Sequence, residues 1–393
     1  MGEIVMAGLF MYIFKETSRN AYTNDRSDAV FTKNYYRQFK KRLPHPDTID
    51  RVMRKLPPDI IEELKMQLVS NLFDQKVLRK YRFKNKYYFV AVDATGIHSF
   101  DHKHCDKCLT KTSKNGVTTW FHYVLEAKII TSSGLAISLA SEFIENDPER
   151  NFDKQDCELK AFVRLAQKIK KRFPRLPICI LADGLYPNQT VFNICHSNKW
   201  LFIITLKDDS LDSFQEEVEL LNGCKKSTDI ARRNKTHNIT LFCKYINSID
   251  YKDVNYSWVS CEEIKTNIET KEKAHQQFIY ITNIEQTSEN VIHTIDAGRM
   301  RWKIENEGFN TQKNQGYAME HKYSRVSYTA MQNYYHLMQI AHMVNQFTEH
   351  TELITSLLHE HSKQTIKALW KDLISFLKSL PCNYEQLYNF LSS

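Results

Sequence analysis

The sequence predicts a mixed α/β fold with a β-rich insertion, framed by helical regions at both ends. Three patterns carry this expectation. Short β-branched and aromatic runs alternate with helical stretches between Tyr87 and Leu206, the segment from Lys207 to Asp296 breaks into further strand-like runs, and helical patterning fills the chain before Lys80 and after Tyr328.

Taken in order, the apolar stretch Ile4 to Phe14 reads as a core helix and Asn24 to Arg42 as a second one. Past the prolines of Leu43-Pro44-His45-Pro46, Asp47 or Thr48 can cap a helix over Ile49 to Leu56, and Pro57-Pro58 opens another that reaches Lys80. Strands follow at Tyr87 to Asp93, Thr118 to Thr131 and Gly134 to Ile144. A helix from about Lys154 to Arg172 precedes a strand at Ile178 to Leu181, then come helix Asn188 to Asn198 and strand Trp200 to Leu206. Three strands with short links, then strands joined by helical crossovers, are the order of a ribonuclease H-like core. The domain reading is residues 1–80 as a helical, DNA-binding N-terminal region, 81–330 as the core with a β-rich insertion at about 208–296, and 331–393 as C-terminal helices, Tyr328 to Phe347 and Gln364 to Leu380.

The 393 residues suffice for a large core and two or three domains. A formal charge of +8 favours a polyanionic partner. Cations interleave with aromatics from Lys33 to Arg42, ending in Lys40, Lys41 and Arg42, and six Lys or Arg fall between Lys76 and Lys86. A solvated basic helix face explains either run as well. Nine cysteines, an odd number spread through apolar segments, read as free thiols in a reducing compartment. Ile4 to Phe14 is too short to span a bilayer and no basic stretch precedes it, so a cytoplasmic protein with no membrane association is expected.

Three acids stand out: Asp93 in YYFVAVDATG, Asp183 in PICILADGLYPNQ and Glu305 in RMRWKIENEGF. Each aspartate is expected to close a buried strand, followed by the turn signals Ala94-Thr95-Gly96 and Gly184. On a regular helix Arg301, Glu305 and Gln312 share a face and Glu307 lies about 200° away at about 3.6 residues per turn. Glu305 is thus expected to face the aspartates and Glu307 to be solvated or salt-bridged. Hard carboxylate oxygens converging from two strands and a helix suit Mg²⁺ or Mn²⁺ and phosphoryl transfer. Any one of these acids alone is equally at home as a turn or capping carboxylate.

The ordered acids, the insertion before the glutamate, and the strings ADGLYPNQ, KQDCELKAF, RWKIENEGFN and GYAMEHKYS resemble DDE transposases of bacterial insertion sequences, in the large insertion-sequence-four group. The resemblance runs over most of residues 20–350. In that group the glutamate lies on a helix reading Tyr, two residues, Arg, three residues, Glu, six residues, Lys. Arg301 and Glu305 match, whereas Gly298 stands at the Tyr position and Gln312 at the Lys position, with Lys313 next. The resemblance implies cleavage of phosphodiester bonds at transposon ends and transfer of the freed 3′-hydroxyl into target DNA, by a homodimer on paired ends. It implies Asp93, Asp183 and Glu305 as catalytic ligands of two Mg²⁺ or Mn²⁺ ions, Asp93 bridging, with Arg301 contacting phosphate and Lys313 as the shifted lysine. The alternatives are a nuclease or resolvase of the same fold that cuts without joining, and an inactive DNA-binding relic.

His98 to Cys108 packs three histidines and a C-x-x-C together, and His102, His104, Cys105 and Cys108 can supply tetrahedral zinc. A metal-free loop is the alternative. Cys157 is expected to pack within its helix, His321 to lie at the surface or near a DNA backbone, and Trp302, Phe309 and Tyr317 to pack in the core.

Overall fold

The computed structural model describes residues 1–146, 155–352, 354–356 and 365–379, so the expected helix boundaries at Lys154, Gln364 and Leu380 lie outside the described residues. The chain opens with five helices, α1 (Gly2–Ile13), α2 (Arg19–Ser27), α3 (Ala29–Phe39), α4 (Pro46–Met53) and α5 (Pro58–Asp74). The single helix expected over Asn24 to Arg42 is two, because Asp28 leaves helical geometry and its carboxylate accepts from Phe31 N at 2.8 Å, capping α3. Helix α4 is capped not by Asp47 or Thr48 but by His45, whose Nδ1 accepts from Asp47 N at 3.3 Å, with Pro46 in the first turn. Helix α5 stops at Asp74, short of Lys80.

A meander of β1 (Tyr88–Phe100), β2 (Leu109–Thr112), β3 (Thr118–Ile130) and β4 (Ala136–Ile144) follows. Helix α6 (Glu158–Arg172) leads to β5 (Ile178–Ala182), and α7 (Gln189–Asn198) to β6 (Leu201–Thr205). Strand β5 lies parallel to both β1 and β6, as helical crossovers require. After α8 (Asp212–Leu220) come β7 (Lys226–Arg233), β8 (His237–Tyr251), β9 (Val254–Asn267) and β10 (Lys273–Thr282). These four strands form no separate sheet. Strand β10 pairs antiparallel with β6, Tyr280 opposite Thr205, and one mixed sheet runs β2-β3-β1-β5-β6-β10-β9-β8-β7 with β4 on β3. Its edge was open at β6, and the insertion extends it.

Alternation assigns the faces. Val90, Val92, Ile178 and Ile180 join the core beneath α6, α7 and α8, while Phe89, Ala91, Cys179 and Leu181 join one on the opposite face. That second core is covered by α9 (Val291–Arg299) and by the helical run that continues from it through Ile304 and Phe309. This run is a 3₁₀ turn at Met300–Trp302, a π-helical stretch at Ile304–Asn310 and the short α10 (Thr311–Asn314). Helix α11 (Tyr328–Glu349) shares a third core with α1, α3 and α4, so the N-terminal helices are packed into the body of the protein. Helix α12 (Ile366–Ser379) packs on α3. Among the described residues no helix is long and apolar enough to cross a membrane.

Candidate active site

Asp93 does not end its strand. Ala94-Thr95-Gly96 continues β1 opposite Leu125, Val124 and Tyr123 of β3, because the longer partner strand keeps offering hydrogen bonds. What ends near Asp93 is the pairing with β5, whose register runs from Tyr88 opposite Ile178 to Ala91 opposite Leu181. Carried two residues further, that register sets Asp93 level with Asp183, the residue just past β5, on strands about 4.8 Å apart. Both aspartates follow the parity of Ala91 and Leu181, so they belong to the face covered by Ile304 and Phe309. Asp183 does close its strand as expected, with Oδ1 accepting from Leu185 N at 2.9 Å in a side-chain turn.

Asp93 is largely buried, and burial pushes its carboxyl up to about 6. The Arg301 guanidinium and Ala94 N oppose that rise, while the charges of Glu305 and Asp183 add to it. Arg301 Nη1 lies 3.5 Å from Asp93 Oδ2, and its side chain is only 10 % exposed. The expected phosphate contact is therefore turned inward, onto the carboxylates. Glu305 is exposed on the π-helical stretch, and Glu307 is the ion-paired one, 2.9 Å from Lys303 Nζ.

The π geometry corrects the face expected of this helix. Bonds from i to i+5 wind less per residue than an α-helix, so the 3.6 period fails between Glu305 and Gln312. Gln312 does not share the face of Glu305. It is fully buried and donates from Nε2 to Gln339 Oε1 at 2.8 Å. Lys313 forms an ion pair with Glu320 at 2.9 Å. Gly298 has its own explanation: a Cβ there would stand 2.5 Å from Cζ of Tyr280, so the Tyr280 ring from β10 occupies the space that a side chain at position 298 would need.

A cleft of about 990 Å³ lies beyond the paired stretch of β1 and β5, lined by Gly96, Tyr123, Glu158, Leu185, Glu320 and Lys322 among others but not by Asp93, Asp183, Arg301 or Glu305. Glu158, in the first turn of α6, accepts from Tyr186 Oη at 3.2 Å. Its carboxyl is pushed up by burial and by Asp183, with the Tyr186 bond opposing. The sequence offered only the first-turn acid and the following Tyr186 as signals for this fourth carboxylate. Cys157, expected to pack, is the exposed residue before α6. Phe309 and Tyr317 are buried as expected, but Trp302 is 53 % exposed, with the Arg301 guanidinium 4.5 Å from its ring centroid. The half-buried His321 ring packs edge-on against Tyr323, and its carbonyl accepts from His98 Nε2 at 3.3 Å. Lys40, Lys41 and Arg42 are exposed just after α3.

Of the four metal candidates, His102 stands apart: its side chain is 76 % exposed and paired with Asp101 at 2.5 Å. His104, Cys105 and Cys108 instead gather around His122 of β3, which no sequence signal marks because it lies 14 residues beyond Cys108 in an ordinary strand pattern. Comparison of the chain with protein-family models and with curated proteins gives no match.

Proposed function

We propose that this protein is a DDE-type transposase, cutting DNA at the ends of a mobile element and joining the freed 3′-hydroxyl to target DNA. The observation that carries the proposal is that the charges of Glu305 and Asp183 both act on Asp93, which the β1–β5 register, carried two residues past its last pair, sets level with Asp183. The strand sequence β4-β3-β1-β5-β6, antiparallel then parallel, supports a ribonuclease H-like core carrying that site.

The donor set fits a hard divalent cation. The charges of Glu305 and Asp183 both act on Asp93 with the guanidinium of Arg301 opposed to them, which leaves negative charge for a cation to balance. Asp93, Asp183 and Glu305 are the residues that would hold Mg²⁺ or Mn²⁺. When bound, such ions supply charge that stabilises the attacking and leaving oxygens of an in-line displacement. Arg301 pairs with the Asp93 carboxylate and Tyr186 donates to that of Glu158, which helps to position both. Lys111 and Lys322 line the cleft and offer phosphate-attracting charge. Trp302, exposed beside Arg301, offers a face on which an unpaired base can stack. Because both ends of an element must be processed together, two copies of the chain act on paired ends.

The test is nicking and joining of DNA that carries the sequences flanking this reading frame, with Mg²⁺ or Mn²⁺ and with the Asp93→Ala protein as control. Metal-dependent cleavage at the element boundary followed by joining, both lost in the variant, is expected. Cutting without joining would identify a nuclease, and binding without cleavage an inactive relic.

A further inference from the structure

The loop from Asp101 to Cys108 joins β1 to β2 and folds back over β3. Two thiols and two imidazoles converge beneath it. Cys105 Sγ and Cys108 Sγ lie 3.6 Å apart. His122 Nε2 is 3.2 Å from the first sulfur and 3.3 Å from the second. His104, Cys105 and His122 each bring a donor atom within 4.8 Å of the other two. For Zn–S near 2.3 Å and Zn–N near 2.0–2.1 Å, the edges of a tetrahedron are about 3.8 Å between sulfurs and about 3.5 Å between sulfur and nitrogen. The spacings among Cys105, Cys108 and His122 are slightly shorter, so an ion seats there with small outward movements, and His104, gathered within 4.8 Å of Cys105 and His122, has to move in to complete the set.

The His104 imidazole is also oriented as a ligand, whereas the remote Nδ1 of His122 is buried with no hydrogen-bond partner. His104 Nε2 lies 2.8 Å from the carbonyl oxygen of Arg325, which can only accept, so the proton sits on Nε2 and the Nδ1 lone pair is left bare. That Nδ1 is buried and has no hydrogen-bond partner. The His104 ring is stacked on Phe100 at 4.2 Å between centroids, and His122 is held edge-on by Tyr328 at 4.9 Å. A carbonyl fixing the remote ring nitrogen is the usual support of a zinc-bound histidine. His122 is only 2 % exposed and Cys108 5 %, so the site is closed to substrate on that side.

We infer that His104, Cys105, Cys108 and His122 form a structural zinc site of the Cys₂His₂ type. The ligand set draws on β3 and on the loop, and through the Arg325 carbonyl the site is tied to the segment before α11. That segment also reaches β1, through Lys322 Nζ donating to Ser99 O at 3.1 Å. Ser99 and Lys322 both line the cleft, so the ion would fix one of its walls. A reactive C-x-x-C pair is the competing chemistry for the same thiols.

The measurement is zinc content of the full chain purified under reducing conditions after growth with added zinc. About one zinc per chain is expected. His122→Ala and Cys108→Ser should lose it, whereas His102→Ala should retain it and His122→Cys, which leaves a Cys₃His set, should retain most of it. Should the loss variants fail to fold, the wild-type protein still decides: a mercurial reagent that captures the thiols should release one zinc, read with a chromophoric chelator. Substoichiometric zinc in the wild type, zinc that is not released by thiol capture, a Cys105–Cys108 disulfide in place of the metal, or loss in His102→Ala equal to that in His122→Ala would each overturn the assignment. None of these readouts involves DNA cleavage, so the zinc site stands or falls apart from the transposase proposal.

Discussion

Asp93 shows how a single residue carries opposing demands. Burial and two neighbouring carboxylates raise its proton affinity, and Arg301 holds it down. Removing the charge should therefore cost chemistry far more than folding. Asp93→Asn is expected to lower cleavage by about 10²–10³-fold, the scale of losing one pre-organised electrostatic partner, while the melting temperature stays within a few degrees. A variant that cuts at a near-normal rate would remove Asp93 from the site. A second residue, His336 of α11, sets an acid limit. Its imidazole is pushed down to about 3, first by burial and then by Lys65, with Glu62 opposing and Lys168 adding. In the unfolded chain it titrates near 6.5, so between about pH 6.5 and 3 the unfolded state binds the extra proton. Stability is whole above that window and declines as pH falls through it, by up to about 1.4 kcal/mol per pH unit for this group. Glu62 acts in the same direction at lower pH. Burial alone would raise it, but Lys65, His336 and Lys168 hold it at about 2, against about 4.3 when unfolded. Urea midpoints at pH 7.5 and pH 5 should differ, lower at pH 5, and His336→Phe should narrow the gap; equal wild-type midpoints would contradict the assignment.

At the scale of elements, the run from α9 to α10 matters most. Its 3₁₀ and π turns deliver Arg301 inward, Glu305 outward and Gln312 into a buried polar chain with Gln339 and His342. Lys128, fully buried on β3, completes that chain by donating to Gln339 at 2.6 Å, and its stem lies 3.2 Å from where a Cβ on Gly308 would be. The approach of α9 to β10 depends on Gly298, which yields its space to Tyr280. Gly298→Ala is expected to destabilise by about 1–3 kcal/mol through overpacking against a rigid ring, and Tyr280→Leu in the same chain should recover part of that loss. Denaturant titration of the two single variants and the double variant checks this, and purely additive losses would show that the two positions do not share the space.

At the scale of the molecule, the N-terminal helices are tied to α11 by one core that includes Ala7, Met11, Ile49, Leu337 and Ile340. Gly8 lets α1 approach so closely that a Cβ there would meet Leu337 at 2.9 Å. Deleting residues 1–56 would bare that face of α11, so the remainder is expected to be insoluble or molten instead of a free catalytic domain. Expression of the truncated chain, followed by near-ultraviolet circular dichroism, tests this; a soluble truncation with native-like signal would show the helices to be separable.

Local chemistry was enough to read much of this from the chain. The apolar runs of β3, β4, β5 and β6, the helices α1, α6, α7 and α11, and the placement of Asp183 after its strand all follow from residue type and period. The ion pair of Glu307 also follows from its neighbour Lys303 four residues earlier, although the stretch that carries both is not a regular α-helix. Contacts between distant segments were not legible. Nothing near Asp93 in sequence tells that β3 extends its strand to Phe100, nothing near Cys105 points to His122, and the inward turn of Arg301 needs both β1 and the π-helical stretch in place. The sequence by itself determined the mixed α/β class and the order of most elements, because period, caps and turn residues act over a few positions. Only the tertiary structure decided that the insertion joins the central sheet, that β1 pairs parallel with β5 up to Ala91 and Leu181, and which histidine meets the thiols. Strand register and side-chain convergence are settled by hydrogen bonds and burial between segments far apart in the chain.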